Sequence, residues 1–461
     1  MVDERAQHSF SGGFPDSDTV EAAYEAADLN RAVLCYKHFF PLVSGASIFI
    51  GQRAVGVKVN EVFGYMDTRP AQVGLTLNSD TPYAGPLLDL HVGPIVLEVP
   101  PGPIVGAVLN YDQSWITDLG IPGRDGGEGG RYLLLPPGYE GDAPDGYLPA
   151  RAQSYKVVAG LRAIPRDGDV AKAIDLLKRT AVHPLDPAAV WRPPVWLDMS
   201  HEPQDTTPSA VQGDLPYWQV LHEALQDEPP RPADEAYESE LAELGIMRGE
   251  PFEPDERMQR ILERAAREAD AQLRVQSFAD RRPDRVVWTD RRWEWVTLRP
   301  DDVFFQLNGH TDVTAKETWF YQAIATSPAM FRRQAGGGSV YWFGARDANG
   351  DYLDGSRIYT LAIPAPVPAA LFWSVTVYDA ITRSQIDTGQ GNAALRSLFE
   401  LDGAADASRI VLRFGPDAPD GGDERWIRTL PGRGWFVYLR LYGPTEAAFD
   451  GSWRPGDFIV S

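Results

Sequence analysis

Cysteine is almost absent: Cys35 is the only one in 461 residues. No disulfide can close within the chain and no cysteine-rich metal site can assemble, which excludes a stapled secreted scaffold. Cys35 lies in the apolar-periodic stretch 32–36 and is expected in a core rather than as a nucleophile. Histidine is scarce as well. The seven are scattered, with no His-x-His or His-x₃-His pair to preset ligand geometry, and His310 near Asp312 is the best remaining pairing. No cofactor is therefore expected, and a divalent metal is left open. The chain also lacks a Gly-x-Ser-x-Gly elbow, and Gly336-Gly337-Gly338-Ser339 has no lysine to hold a phosphate. Nucleotide hydrolysis and an α/β-hydrolase mechanism are disfavoured.

Long apolar runs are missing too. No stretch of about 18 uninterrupted apolar residues occurs, and residues 1–18 are polar and acidic, without the basic and apolar regions of a secretory signal. The expectation is a cytoplasmic chain with no membrane span. Basic residues are outnumbered, 43 against 65 acidic, and the net charge of −22 repels phosphate backbones and anionic headgroups. Nucleic acid and membrane are not expected as partners. A small-molecule ligand and homo-oligomer formation through exposed β edges are.

What is present reads as a globular, multi-domain chain, since hydrophobic and charged shares of 43% and 23% are those of folded proteins. A mobile arm is expected over 1–17. A helix then runs from an N-cap at Asp18 to about Leu42, where Pro41 should end it. Period-two runs bounded by Gly, Pro, Asn and Asp predict strands at 93–99, 104–109, 131–135 and 154–161, and a short helix at 169–180. The proline-dense stretch 183–235 reads as a linker wrapping a surface, and 236–275 as helical, broken at Gly249-Glu250-Pro251. Further strands are expected at 339–343, 357–363, 371–378, 409–414 and 435–442, with Asn349-Gly350 marking a hairpin rather than a calcium loop. The fold class that follows is mainly β with helical segments: two antiparallel sandwich or jelly-roll-like domains, 18–182 and 286–461, joined by a helical, Pro-rich middle at 183–285.

Certain residues carry a family resemblance. Asn78-Ser79-Asp80-Thr81-Pro82-Tyr83, followed by Leu88-Asp89-Leu90 and Gly93-Pro94-Ile95, resembles the Asn-x-Asp-Thr-x-Tyr signature of the family catalogued as domain of unknown function twelve-fifty-four. Its companion, number twelve-fourteen, is resembled by Tyr352-Leu353-Asp354-Gly355, by residues 372–379 with Thr382-Arg383, and by Leu439-Arg440-Leu441-Tyr442-Gly443-Pro444. The middle matches through Gly249-Glu250-Pro251-Phe252-Glu253-Pro254-Asp255, so the resemblance spans about residue 20 to residue 455. It implies two β-sandwich parts joined by helices and no established activity. Two departures stand out: many relatives have Asn before the tryptophan where this chain has Glu424-Arg425-Trp426, and many carry an export signal.

Three clusters could carry chemistry. Asp80 could accept a proton, held by Asn78 and Thr81 with Tyr83 as donor, although Asn, Asp and Thr equally serve turns. In 372–378, Trp373, Val375 and Val377 share one face and Ser374, Thr376 and Tyr378 the other. The polar face, continued by Asp379 and Arg383, could bind a polar molecule or simply be solvated or packed between domains. Phe436, Tyr438, Arg440 and Tyr442 share a face that places a guanidinium among rings, to clamp a carboxylate or stack on a sugar, or else to pair with Asp379 or Asp354. The function expected is an enzyme, a hydrolase or lyase, acting on a small polar or glycan-like molecule. Its catalytic residues would be Asp80, Tyr83, Arg383 and Arg440, with Asn78, Thr81, Trp373, Tyr378, Asp379, Tyr438 and Tyr442 binding the ligand. The alternative is a non-catalytic ligand-binding or oligomeric assembly protein.

Overall fold

A computed structural model of the protein describes residues 8–67, 69–401, 408–419 and 425–461. Two β sandwiches form, as the period-two runs require. In the N-terminal one the larger sheet runs Val195–Asp198, Val62–Met66, Tyr83–Gly85, Lys156–Ala163, Ile104–Asn110, Trp115–Gly120, with Leu87–Asp89 also on Lys156–Ala163. Over it lie Leu148–Arg151, Gly130–Leu135, Ile95–Val99 and Ala181–Pro184. Val157, Ala159 and Leu161 point into this sandwich, and the pleat sends Val158, Gly160 and Arg162 to its other face. In the C-terminal sandwich a sheet of Glu294–Trp295, Ser339–Gly344, Trp435–Pro444, Ala369–Asp379 and Ala394–Arg396 packs on one of Trp426–Arg428, Arg409–Gly415, Tyr359–Pro364 and Ile459–Val460. Among the described strands, pairing is antiparallel except for three short parallel pairs, each formed by a sheet-edge strand.

The helices fill the space between the sandwiches. Helix α1 (Ser17–Ala54) begins at Asp16, whose side chain accepts from Thr19 N at 2.9 Å, so the cap lies two residues before Asp18, which sits in the first turn. It also passes straight through Pro41. One helical hydrogen bond is lost there, but every residue from Phe39 to Phe49 is buried, and that packing outweighs the local penalty. By length and composition α1 could cross a membrane, a feature that counting uninterrupted apolar residues misses. Yet 72% of its most apolar window is buried inside the protein, as in a core helix. Cys35 is fully buried in it, and burial pushes the thiol up to about 12.

After α2 (Val170–Leu177), the stretch expected as a linker holds real structure: the Val195–Asp198 edge strand and α3 (Pro216–Gln226), whose Tyr217, Trp218 and Leu221 are core. Proline at the first position of α3 starts that helix instead of forbidding it. Helices α4 (Glu235–Glu243) and α5 (Glu256–Phe278, capped by Asp255) follow, broken where expected. Helices α6 (Val313–Gln322) and α7 (Pro328–Phe331) lie inside the C-terminal half. Sequence order places α1 with the N-terminal domain, but α1, α3, α5 and α6 share one core with Tyr341, Tyr378, Phe436 and Tyr438 of the C-terminal sheet. Of the arm expected over 1–17, residues 1–7 lie outside the described residues, and 10–15 form a short hairpin. Glu424 also lies outside them. Asp347 accepts from Asn349 N and Asp351 N, the expected hairpin turn.

Candidate functional site

Residues 72–82 run without regular structure between two strands of the N-terminal sheet, yet most of them are buried. A buried irregular backbone must find partners for its polar groups, and here the C-terminal half supplies many of them. Thr76 N donates to Arg383 O (2.8 Å), Thr76 Oγ1 to Gln322 O (3.0 Å), and Gly74 N to Ser384 Oγ (3.2 Å). Tyr378 donates to Leu77 O at 2.7 Å, Gln385 Nε2 to Asn78 O at 3.1 Å, and Arg396 Nη1 to Ser79 O at 2.6 Å. Arg440 closes the arrangement. Its Nη2 donates to Thr76 O (2.8 Å), its Nη1 to the Tyr378 hydroxyl (2.6 Å), and the rings of Tyr341, Tyr378 and Tyr438 surround it at 5.0–5.5 Å.

Within the segment, Asn78 makes a turn. Its Oδ1 accepts from Asp80 N (2.9 Å), Thr81 N (3.2 Å) and Thr81 Oγ1 (3.3 Å), which aims Asp80 at the C-terminal sheet. There Asp80 Oδ2 accepts from Ser374 Oγ (3.0 Å) and Tyr442 (3.1 Å), and Oδ1 has no hydrogen-bond partner among the described residues. Burial pushes the Asp80 carboxyl up, opposed by Arg440, Arg396 and the two hydroxyl donors. The Tyr83 hydroxyl accepts from Asn78 N at 3.1 Å.

Beside this clasp lies a cavity of about 880 Å³ walled by both halves and the helices. Much of its wall is apolar, including Ile48, Leu75, Val105, Leu109, Val158 and Trp319, and Ala323–Gly338 contributes one side. Its polar part brings together Tyr83 and Arg162 from the N-terminal sheet with Tyr341, Tyr438 and Arg440 from the C-terminal sheet. Arg162 sits opposite Tyr83 in register and lies beside Tyr341 and the Tyr442 hydroxyl. Among the described lining residues Asp118 is the one carboxylate. Burial pushes it up, and it accepts from Trp115 Nε1 at 3.2 Å.

The structure thus gathers Asn78, Asp80, Thr81, Tyr83, Tyr378, Tyr438, Arg440 and Tyr442 at one contact between halves. Three other candidates lie elsewhere. Trp373 points into the C-terminal sandwich, as the period-two alternation of its strand dictates. Asp379 pairs with Arg433 at 2.7 Å and accepts from Ile381 N and Thr382 N, so it shapes the turn after its strand and does not pair with Arg440. Arg383, at φ 60°, is fully buried over the Tyr321 ring and donates to Gln212, outside the cavity lining. Asp312, paired in sequence with His310, caps α6 and binds Arg282 and Arg299, while His310 is exposed. Sequence reading missed Arg162 and Tyr341. Strand alternation could have found Arg162, one residue past the expected strand and on the face away from Leu161.

Residues 60–184 match the family described as "Protein of unknown function (DUF1254)", and residues 338–446 match "Protein of unknown function (DUF1214)". The crystal structure of the VPA0106 protein from Vibrio parahaemolyticus shares this fold, at 16% identity and a TM-score of 0.57 over 94% of this chain and 100% of that one. A putative uncharacterized protein from Burkholderia cenocepacia is 12% identical over 96% of this chain and 97% of its own, with a TM-score of 0.39. No curated protein matches. The two matched regions between them hold Asp80, Arg162, Ser374, Tyr378, Arg440 and Tyr442.

Proposed function

We propose, for a chain that belongs to the two-part family of unknown function pairing DUF1254 with DUF1214, that its two halves meet in order to hold a small molecule in the cavity between them. One observation carries this reading: the cavity of about 880 Å³ is apolar over much of its wall yet has a few convergent polar side chains drawn from both matched regions. Such a combination is the usual form of a small-molecule site. Of the two roles expected from sequence, binding is favoured over carboxylate hydrolysis or elimination. Asp80 is 1% exposed, gives one oxygen to Ser374 and Tyr442, and does not line the cavity, so it is poorly placed to take a proton from an occupant. Asp118 has no second carboxylate facing it across the lining residues described.

Thermal-shift screening of the full chain against neutral, cationic and anionic small molecules tests this. A ligand that binds only the folded state at about a hundred times its Kd stabilises by about 2.7 kcal/mol. At least one chemical class is expected to raise Tm, and Ala107→Phe, which fills the cavity from the Ile104–Asn110 strand, is expected to abolish that rise. A rise that persists unchanged in the filled variant, or none with any class, contradicts the reading.

A further inference from the structure

Resting on the reading that the cavity is a ligand site, we infer that its occupant is a monocarboxylic acid with an apolar body, its ionised head set against Arg162. Arg162 and Arg440 meet at one group of tyrosines, and neither has a carboxylate within ion-pair reach among the described residues. Asp80, which acts on Arg440, supplies at most one negative charge to the two of them. Arg440 is buried and Arg162 half-buried at the cavity wall, and guanidinium charge withdrawn from water without a counter-charge is unfavourable; with Asp80 ionised, one positive charge is left over at the cavity.

Hydrogen-bond capacity points the same way. The Tyr83 oxygen already accepts from Asn78 N at 3.1 Å, and the Tyr341 oxygen accepts from Ser339 Oγ at 2.5 Å, so each phenol keeps its own proton to donate. Arg440 is committed to Thr76 O and Tyr378, whereas Arg162 lines the cavity over the Tyr83 ring and beside Tyr341, with the Tyr442 hydroxyl as a hydrogen-bond partner. Around Arg162 the cavity therefore offers donors: two phenols and a guanidinium fork. A group that only accepts, carries one negative charge and presents two oxygens in a plane satisfies all three, and that group is a carboxylate. A dianionic phosphate would overcompensate the surplus charge, and an ammonium would be repelled by it. Ile48, Leu75, Val105, Leu109, Val158 and Trp319 provide apolar wall for the rest of the molecule.

The experiment is a matched series titrated into the full chain by calorimetry: octanoate, octanol, octylamine and octyl phosphate. Octanoate is expected to bind at least tenfold more tightly than octanol, octylamine and octyl phosphate, and Arg162→Met to bring octanoate and octanol within about threefold of each other while octanol binding is unchanged. Tyr83→Phe, which keeps the ring and removes one donor, serves as a second variant and is expected to weaken octanoate alone. Octanol binding as tightly as octanoate, or tightest binding by octylamine or octyl phosphate, overturns the carboxylate assignment; a carboxylate preference that survives Arg162→Met overturns the placement of its head against Arg162; each leaves the cavity reading standing. Failure of the whole series to bind overturns both.

Discussion

Asp112, in the turn between the strands Ile104–Asn110 and Trp115–Gly120, accepts from Ser114 Oγ at 2.6 Å and pairs with Arg231 at 2.7 Å, and Arg231 in turn holds Asp234 against His38 of α1. Burial pushes the Asp112 carboxyl up, but the Arg231 guanidinium and the Ser114 hydroxyl outweigh it and hold the group at about 2. Its folded value is below its ordinary one of 3.8. The stability it contributes is therefore fully present above that ordinary value and is lost as pH falls through about 2. Asp112→Asn is expected to destabilise the chain by about 2 kcal/mol at neutral pH, the linkage worth of a carboxyl held from 3.8 down to about 2, while Arg231 keeps Asp234 as its other partner. Urea unfolding should show the difference from wild type shrinking as pH drops below about 4, and a difference that stays constant down to the acid limit contradicts the assignment. Single residues of this kind are poorly legible in sequence. Asp80 reads equally as a base or as a turn residue, because nothing local reveals that Ser374 and Tyr442, about three hundred positions away, will occupy its oxygen.

Among the elements, α1 shows how tertiary packing overrides local preference. Gly45 lies mid-helix, where alanine is the better helix former by about 1 kcal/mol. A Cβ at that position would sit 1.8 Å from the Tyr111 carbonyl oxygen, a backbone atom that cannot turn away. Gly45→Ala is accordingly expected to lower Tm despite its helix propensity, since the clash exceeds the propensity gain; a raised Tm would contradict the close approach. Pro41 misled for the same reason, because its missing N–H is a local signal and the burial around it is not. Strands were more legible. The alternation in 372–378 and 436–442 separates Trp373, Val375, Val437 and Leu439 in the sandwich from Ser374, Tyr378, Tyr438 and Arg440 on the face that meets the N-terminal half. Period two is set by the pleat itself and survives any tertiary context. The edge strand Val195–Asp198 and α3 were hidden because proline-rich composition marks boundaries and does not say what lies between them.

In the whole molecule, the segment 72–82 belongs to one half by sequence and finds many of its backbone partners in the other, so the loop is buried and fully satisfied only when both halves are folded. Helices α1, α3, α5 and α6 add a core that draws residues from both sides of the chain. The two matched regions are expected to unfold as one cooperative unit around a shared cavity. Differential scanning calorimetry of the full chain tests it most directly. One endotherm with a calorimetric enthalpy equal to the van't Hoff enthalpy is expected; two resolved transitions, one for each half, would contradict it.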